Sequence, residues 1–316
     1  IINLNLKRGG NKMCGIVGIF RYKQITDIDG TINTISKMLI ESETRGTDAT
    51  GISIINSDTN KIEIYKKPLR ARDFVKIDEW KEMIRNFGGF NILLGHTRNA
   101  THGTTENPEN NHPFFDKKAN AVMMHNGIVS NHKELYHKHK IKQVGECDSK
   151  IILDLFCKTK NINDPIKQIH GSMAFALYHN EKLYLFKDYS PLSICFNTEN
   201  KTFYFASEIE FIQKSLLKKH LIMGLFPVHE SSPRLLKKEF ESDELVTINF
   251  GTRKAYSRIV DSDCDMDNDN NGTTGFVYDD GEDNFPTTDE NKNEDEDEDK
   301  HNDKPYSAPY WHPGGY

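Results

Sequence analysis

The chain is poor in cysteine and tryptophan for its length, with five of the first and two of the second in 316 residues. Cys14, Cys147, Cys157, Cys195 and Cys264 form no C-x-x-C pair and no regular spacing, which argues against a zinc finger and against a secreted disulfide framework. A reducing compartment fits that usage, so the expected location is cytoplasmic. Long apolar runs are missing too. None approaches the ~18 residues of a membrane helix, and the opening "IINLNLKRGGNK" has too short an apolar stretch for a secretory signal. No membrane association is expected, and no nucleic acid is indicated.

Aliphatic side chains are nearly absent beyond residue 260. Residues 261–316 hold 18 acidic side chains against three lysines, a net of −15 that leaves +9 on residues 1–260. Such a segment cannot bury enough apolar surface to offset chain entropy, so disorder is expected across 259–316, with aromatic residues returning in the terminal "PYSAPYWHPGGY". Acidic runs such as "NEDEDEDK" lack the glycine-bearing spacing of a calcium loop. In "NHKELYHKHK", His132, His137 and His139 lack the i, i+4 pair of a helical zinc site, and a solvated helix face is expected for them. No metal and no cofactor are expected.

What the chain does have is alternating pattern. "GIVGIF" after Cys14 reads as a buried strand, and Ile32, Ile35, Met38 and Leu39 fall at helical spacing. "GISIIN" and "KIEIYKK" flank "SDTN" as a hairpin, a helix is predicted from about Val75 to Phe87, and Gly88-Gly89 ends it. "FNILLGHTR" and "AVMMHNG" are strands that run straight into polar residues. "DSKIILDLFCK" reads as a helix opened by an Asp cap, followed by the hairpin "SMAFALYH"/"KLYLFKD", the strand "KTFYFAS", a helix near "IEFIQKSLLKK" and a last strand "ELVTINF". Hairpins with helices between them imply an α+β domain of antiparallel sheets covered by helices.

Cys14 follows Met13 directly. Were Met13 removed, Cys14 would carry a thiol and a free α-amine on one residue. Their reference pKa values of about 8.5 and about 7.7–8.0 let the amine take the thiol's proton near neutral pH. Burial as a small apolar residue in a strand is the plainer alternative for a lone cysteine.

Four further segments bear on that choice: "TRGTDATG" (44–51), "GHTRNATHG" (95–103), "HNGIVSNH" (125–132) and "ECDSKII" (146–152). With the Cys14 segment, in order and spacing, they resemble the class II glutamine amidotransferase domain, an N-terminal-nucleophile hydrolase, over residues 14–258. The motifs look most like those of glucosamine-6-phosphate synthase and PRPP amidotransferase. The resemblance implies a four-layer αββα sandwich, with residues 1–13 a leader or upstream extension and 259–316 a tail.

It also implies the roles. Cys14 is the nucleophile, and the Asn126 amide and Gly127 N–H form the oxyanion hole. Arg98 grips the substrate carboxylate, for which a forked guanidinium is suited. Asp148 accepts the substrate ammonium, with helix capping as its structural alternative. Thr101, His102 and Arg45 are positioning residues of the pocket. The chain departs from the family pattern at Asn99, where the sugar-phosphate branch has tryptophan, and at Lys187, where an arginine is common; neither is expected to touch the attacking atom. The expected activity is release of ammonia from L-glutamine through a cysteinyl thioester, for an acceptor site on a separate synthase. Two alternatives stand beside it: an N-terminal-nucleophile amidase acting on another γ-glutamyl or amide compound, and a degenerate domain kept as a binding module.

Overall fold

The structure is a computed structural model that describes residues 13–216, 235–260 and 278–279. In chain order its elements are β1 (Gly15–Phe20), α1 (Ile28–Ser42), β2 (Ala49–Asn56), β3 (Lys61–Lys67), α2 (Ala71–Phe74), α3 (Glu79–Arg85), β4 (Ile92–Arg98), β5 (Phe114–Asp116), β6 (Ala121–Val129), α4 (His132–Lys138), α5 (Lys150–Thr159), α6 (Asn163–Gln168), β7 (Gly171–His179), β8 (Lys182–Lys187), β9 (Ser193–Asn197), β10 (Thr202–Ala206), α7 (Ile209–Leu216), β11 (Leu235–Glu239), β12 (Glu244–Asn249), β13 (Lys254–Ile259) and β14 (Tyr278–Asp279).

The strands build two sheets whose paired neighbours all run antiparallel. One has the order β11-β9-β10-β1-β4-β2-β3, the other β14-β13-β12-β8-β7-β6-β5. Strand side chains alternate between faces, so each buried strand feeds two layers. From β1 and β4, Ile16, Phe20, Ile92 and Leu94 meet Val122, Met124, Ala174 and Ala176 of β6 and β7 between the sheets. The odd-numbered Val17 and Ile19 pack instead against Ile35, Met38 and Leu39 of α1. On the far side, Met123, Phe175 and Leu177 pack under Ile151, Ile152 and Phe156 of α5. The order is helices, sheet, sheet, helices: the expected α+β, four-layer αββα sandwich.

Several elements differ from the sequence reading. Of the helix expected over 75–87 only α3 forms; α2 ends before it at Phe74, and Trp80 is wholly buried with its indole N–H donating to the Phe74 carbonyl at 3.1 Å. That bond ties the first turn of α3 to the end of α2. Gly88 and Gly89 do follow α3, both at positive φ. Strands β9, β11 and β13 were not anticipated. The last three residues of the helix predicted over 209–219, the expected leader up to residue 12, and most of the expected acidic tail, with Cys264, lie outside the described residues. Two residues of that tail, Tyr278 and Asp279, pair with β13 as β14. They follow Phe276 and Val277, β-formers in a stretch otherwise almost free of them.

Phe20 is wholly buried between the sheets, stacked on Phe203 with ring centroids 4.6 Å apart. Phe20→Ala should therefore destabilise the fold by about 3–5 kcal/mol, read as a lower urea midpoint at unchanged m-value. A loss below about 1 kcal/mol would mean that this part of the inter-sheet layer is not close-packed.

Candidate active site

The ladder between β1 and β4 sets Gly15 opposite Thr97 and Ile16 opposite His96. Even-numbered residues of both strands face the second sheet, as Ile16, Phe20, Ile92 and Leu94 do. The same parity carries Cys14, His96 and Arg98 to one end of the inter-sheet space. On β6, Val122 and Met124 face inward, and Asn126 shares their parity. Four chemically active side chains thus converge where the apolar filling stops.

The Cys14 sulfur lies against the backbone of Asn99, 3.4 Å from its N–H nitrogen and 3.6 Å from its carbonyl oxygen. This corrects the expectation that Asn99 stays clear of the attacking atom: its side-chain type departs from the family pattern, but its main chain touches the sulfur. The segment from Thr44 to Gly51 holds that main chain in place. Asp48 N–H donates to the Arg98 carbonyl at 2.9 Å, and Ala100 N–H donates to the Asp48 carboxylate at 2.8 Å. Gly46 packs so closely that a Cβ there would lie 2.4 Å from the Arg98 carbonyl carbon. Arg45 Nε donates to the Cys14 carbonyl at 2.8 Å.

Arg98 is 2 % exposed, and its guanidinium donates to Asn111 Oδ1 at 2.8 Å, to the Gly103 carbonyl at 3.2 Å and to the His102 carbonyl. Lys66, which the sequence reading passed over, donates to the Asn111 and Pro113 carbonyls at 2.8 and 3.1 Å and so anchors the segment that orients Arg98. Asp148 is 1 % exposed. It does not cap α5: Ser149 is the N-cap residue and makes no side-chain cap bond, while Asp148 Oδ2 accepts from the Val129 N–H at 2.7 Å. The acid is thereby tied to β6 instead of its own helix. Its Oδ1 lies 3.6 Å from His102 Nδ1. Arg98 and Asp148 both act electrostatically on the Cys14 thiol, the first lowering its pKa and the second raising it.

Thr101 is exposed, with its hydroxyl 3.3 Å from His102 Nδ1, so these two residues form the rim. His132 is a correction. It is 7 % exposed, not on a solvated face, with Nδ1 2.9 Å from the Val129 carbonyl oxygen and its ring edge-on to His102. Among the described residues no cluster of three or more His, Cys, Asp or Glu could hold a metal ion.

Asn126 is wholly buried, and neither its Nδ2 nor its Oδ1 has a hydrogen-bond partner. Gly127 beside it has φ +150°, and a Cβ there would fall 1.8 Å from the Ser172 carbonyl oxygen, so only glycine fits. The preceding His125 carbonyl accepts from or faces His96 Nε2 at 2.9 Å, a bridge between the two sheets. His125 itself meets Ser149 Oγ at 2.8 Å through Nδ1. His96 stacks on His112 with centroids 4.0 Å apart.

Residues 96–214 match the family described as the glutamine amidotransferase domain. Over that stretch the chain is similar to glutamine amidotransferase domains. Over 193 residues it is 30 % identical to the glutamine–fructose-6-phosphate aminotransferase of Staphylococcus aureus, a match covering 57 % of this chain and 30 % of that protein. The enzyme of the same name from Staphylococcus epidermidis matches over 195 residues at 30 % identity, again covering 30 % of its length. The chain thus spans about a third or less of these relatives. Among solved structures, the Bacillus subtilis glutamine PRPP amidotransferase complexed with ADP and GMP superposes with a TM-score of 0.55 at 18 % identity, over 78 % of this chain and 49 % of that one. An allosteric regulatory enzyme of purine biosynthesis gives 0.57 at 17 %. The described residues therefore share the layered two-sheet fold of these two enzymes.

Burial dominates the titration of the site. It pushes His96 down to about 3 and His125 to about 4, and holds His112 well below 6.5 with the neighbouring His96, His125 and Arg98 adding to the effect. These rings stay neutral in the folded domain, while the unfolded chain protonates them near 6.5. Stability should consequently be full above pH ~6.5 and fall on acidification, with a slope of up to about 1.4 kcal/mol per pH unit for each extra proton the unfolded chain binds. Urea midpoints between pH 7 and about 5 check this. His112→Phe, which keeps a ring between His96 and Phe114, should flatten that limb by about one proton's worth; an unchanged slope would show that His112 protonates equally in both states.

Proposed function

We propose that this domain hydrolyses L-glutamine, with Cys14 as nucleophile, and delivers the ammonia to an acceptor on a synthase. The observation that carries the reading is the Asn126 amide, buried and unpartnered on the same inward parity as Cys14. A buried amide without a partner costs about 1–3 kcal/mol. An oxygen that gains negative charge during attack is the partner it suits, and the Gly127 N–H next to it is the matching second donor.

The ends of a free amino acid fit what surrounds the thiol. Arg98 presents a fixed, forked cation for the α-carboxylate, and Asp148 presents an acid whose Oδ1 is left to the pocket side by the Val129 bond to Oδ2. His102 and Thr101 at the rim position the bound molecule, as Arg45 positions Cys14. Retention of both charged groups favours a free α-amino acid over other amides.

Burial pushes the Cys14 thiol up to about 12, so it needs a base. The hydrogen-bond partners of its sulfur are the Asn99 backbone groups, with no side-chain base among them. We assign that task to the α-amine that Cys14 gains once the residues through Met13 are removed. The amine takes the thiol proton as sulfur attacks the amide carbon. The proton passes to the departing nitrogen, ammonia leaves and a thioester forms. Water then attacks the thioester, releasing glutamate and returning the proton to sulfur.

Glutamate release from glutamine tests the proposal. Cys14→Ser should lower turnover by about 10³-fold or more with the fold intact, since an alcohol is a far weaker nucleophile near neutral pH. Arg98→Lys should raise KM by about tenfold or more, because a point charge cannot reproduce forked carboxylate binding. Glutamine kinetics unchanged by the arginine substitution would remove the α-amino acid assignment, and turnover that survives Cys14→Ser would remove the nucleophile.

A further inference from the structure

Cys14 lies just outside the regular sheet. The β1–β4 ladder ends at Gly15↔Thr97, and the β1–β10 ladder starts only at Val17↔Ala206. On the β10 side, the two residues after the strand take over. Ser207 N–H donates to the Ile16 carbonyl at 2.9 Å, and Ser207 Oγ accepts from the Ile16 N–H at 2.9 Å. The next residue, Glu208, accepts from Arg45 Nη1 at 2.6 Å through Oε1, and the same guanidinium donates through Nε to the Cys14 carbonyl at 2.8 Å.

We propose that Glu208 is a positioning residue for the nucleophile, acting through Arg45 on the Cys14 main chain; the inference rests on the reading of Cys14 as the attacking residue. A guanidinium is planar, so fixing Nη1 on a carboxylate fixes the direction in which Nε–H points. The Arg45 side chain is 12 % exposed and the Glu208 side chain 40 %, so the pair has an inner and an outer end. The outer end opens on a cleft of about 240 Å³ lined by Lys187, Leu192, Ser193 and Phe240. Ser207 thus holds the Ile16 carbonyl directly, and Glu208 holds the Cys14 carbonyl through Arg45. Arg45 bonds the Cys14 carbonyl, whereas the sulfur's hydrogen-bond partners are Asn99 backbone groups. The pair therefore acts on the placement of the Cys14 main chain.

Placement and ionisation separate in kinetics. In the full chain processed to Cys14, Glu208→Gln should lower kcat for glutamine hydrolysis by about tenfold or more, leave KM within about twofold, and leave the apparent pKa values of the pH profile unmoved. Glu208→Asp should recover part of the loss. Because the effect passes through Arg45, adding Glu208→Gln to Arg45→Lys should cost less than about threefold further, whereas independent roles would multiply. Alkylation of Cys14 by iodoacetamide, followed by mass spectrometry of its peptide, needs no glutamine. It should accelerate by about threefold or more in Glu208→Gln, as the sulfur leaves the Asn99 backbone and becomes accessible. Thermal midpoints of all variants are measured alongside. Wild-type kcat and alkylation rates in Glu208→Gln, or multiplicative losses in the double variant, overturn the proposal. If the wild-type protein releases no glutamate, the functional reading fails, and the alkylation arm still decides whether Glu208 places Cys14.

Discussion

The two sheets face each other across a strip of apolar side chains, and the register of β1 on β4 decides where that strip ends. With Ile16 opposite His96, every even-numbered residue of both strands looks into the same space. Ile92 and Leu94 fill it; two and four residues on from Leu94, His96 and Arg98 occupy its end. A one-residue slip would turn Cys14 and Arg98 toward α1 and bring Val17 and Ile19 inward. Register thus sets the end of the strip as well as the packing, and the apolar residues that enforce it lie up to about 20 Å from Cys14 at about 3.3 Å per residue.

Polar groups then tie the facing sheet to this frame. His96 reaches across to the His125 carbonyl, one residue before Asn126, and His125 in turn meets Ser149 at the start of α5. Asp148 hangs from the Val129 N–H, the last residue of β6. The β1–β4 pair, the Asn126 segment and Asp148 are linked by single contacts through β6. Burying rings in that linkage keeps them neutral, which is the physical origin of the acid sensitivity expected of the domain.

Much of the frame was legible from alternation and spacing. "GIVGIF", "GISIIN"/"KIEIYKK" and "AVMMHNG" became β1, the β2–β3 hairpin and β6, because each is a strand whose two faces are both buried or plainly patterned. The family resemblance also brought Cys14, Arg98 and Asp148 into one reading, and in the structure Arg98 and Asp148 act electrostatically on the Cys14 thiol. What stayed hidden depended on distant partners. Trp80 bonds back to the Phe74 carbonyl, and the helix expected from about Val75 starts only at Glu79. Asp148 has the spacing of a cap, yet a backbone N–H nineteen residues away takes its oxygen. His132 sits in a run of Lys and His that looks solvated, but the turn before α4 folds it under His102. Glu208 and Lys66 carry no local signal at all; parity along β4 would have singled out His96.

The polar groups of the site are treated unequally, and the inequality is informative. Arg98 is supplied with acceptors from three residues, Asn111, His102 and Gly103, which hold its plane at a fixed angle before any ligand arrives. Asn126 is given none. In the proposed reaction Arg98 meets a carboxylate already charged in solution, for which a fixed orientation is the need, and its three partners supply that. The proposed target of Asn126 gains charge only during attack, and a standing partner would have to be displaced at that moment and would cancel the gain. An amide left bare, on a strand held by a complete ladder to β7, keeps its direction without one. The cost falls on folding stability, about 1–3 kcal/mol for such an atom, and the apolar strip between the sheets is large enough to absorb it.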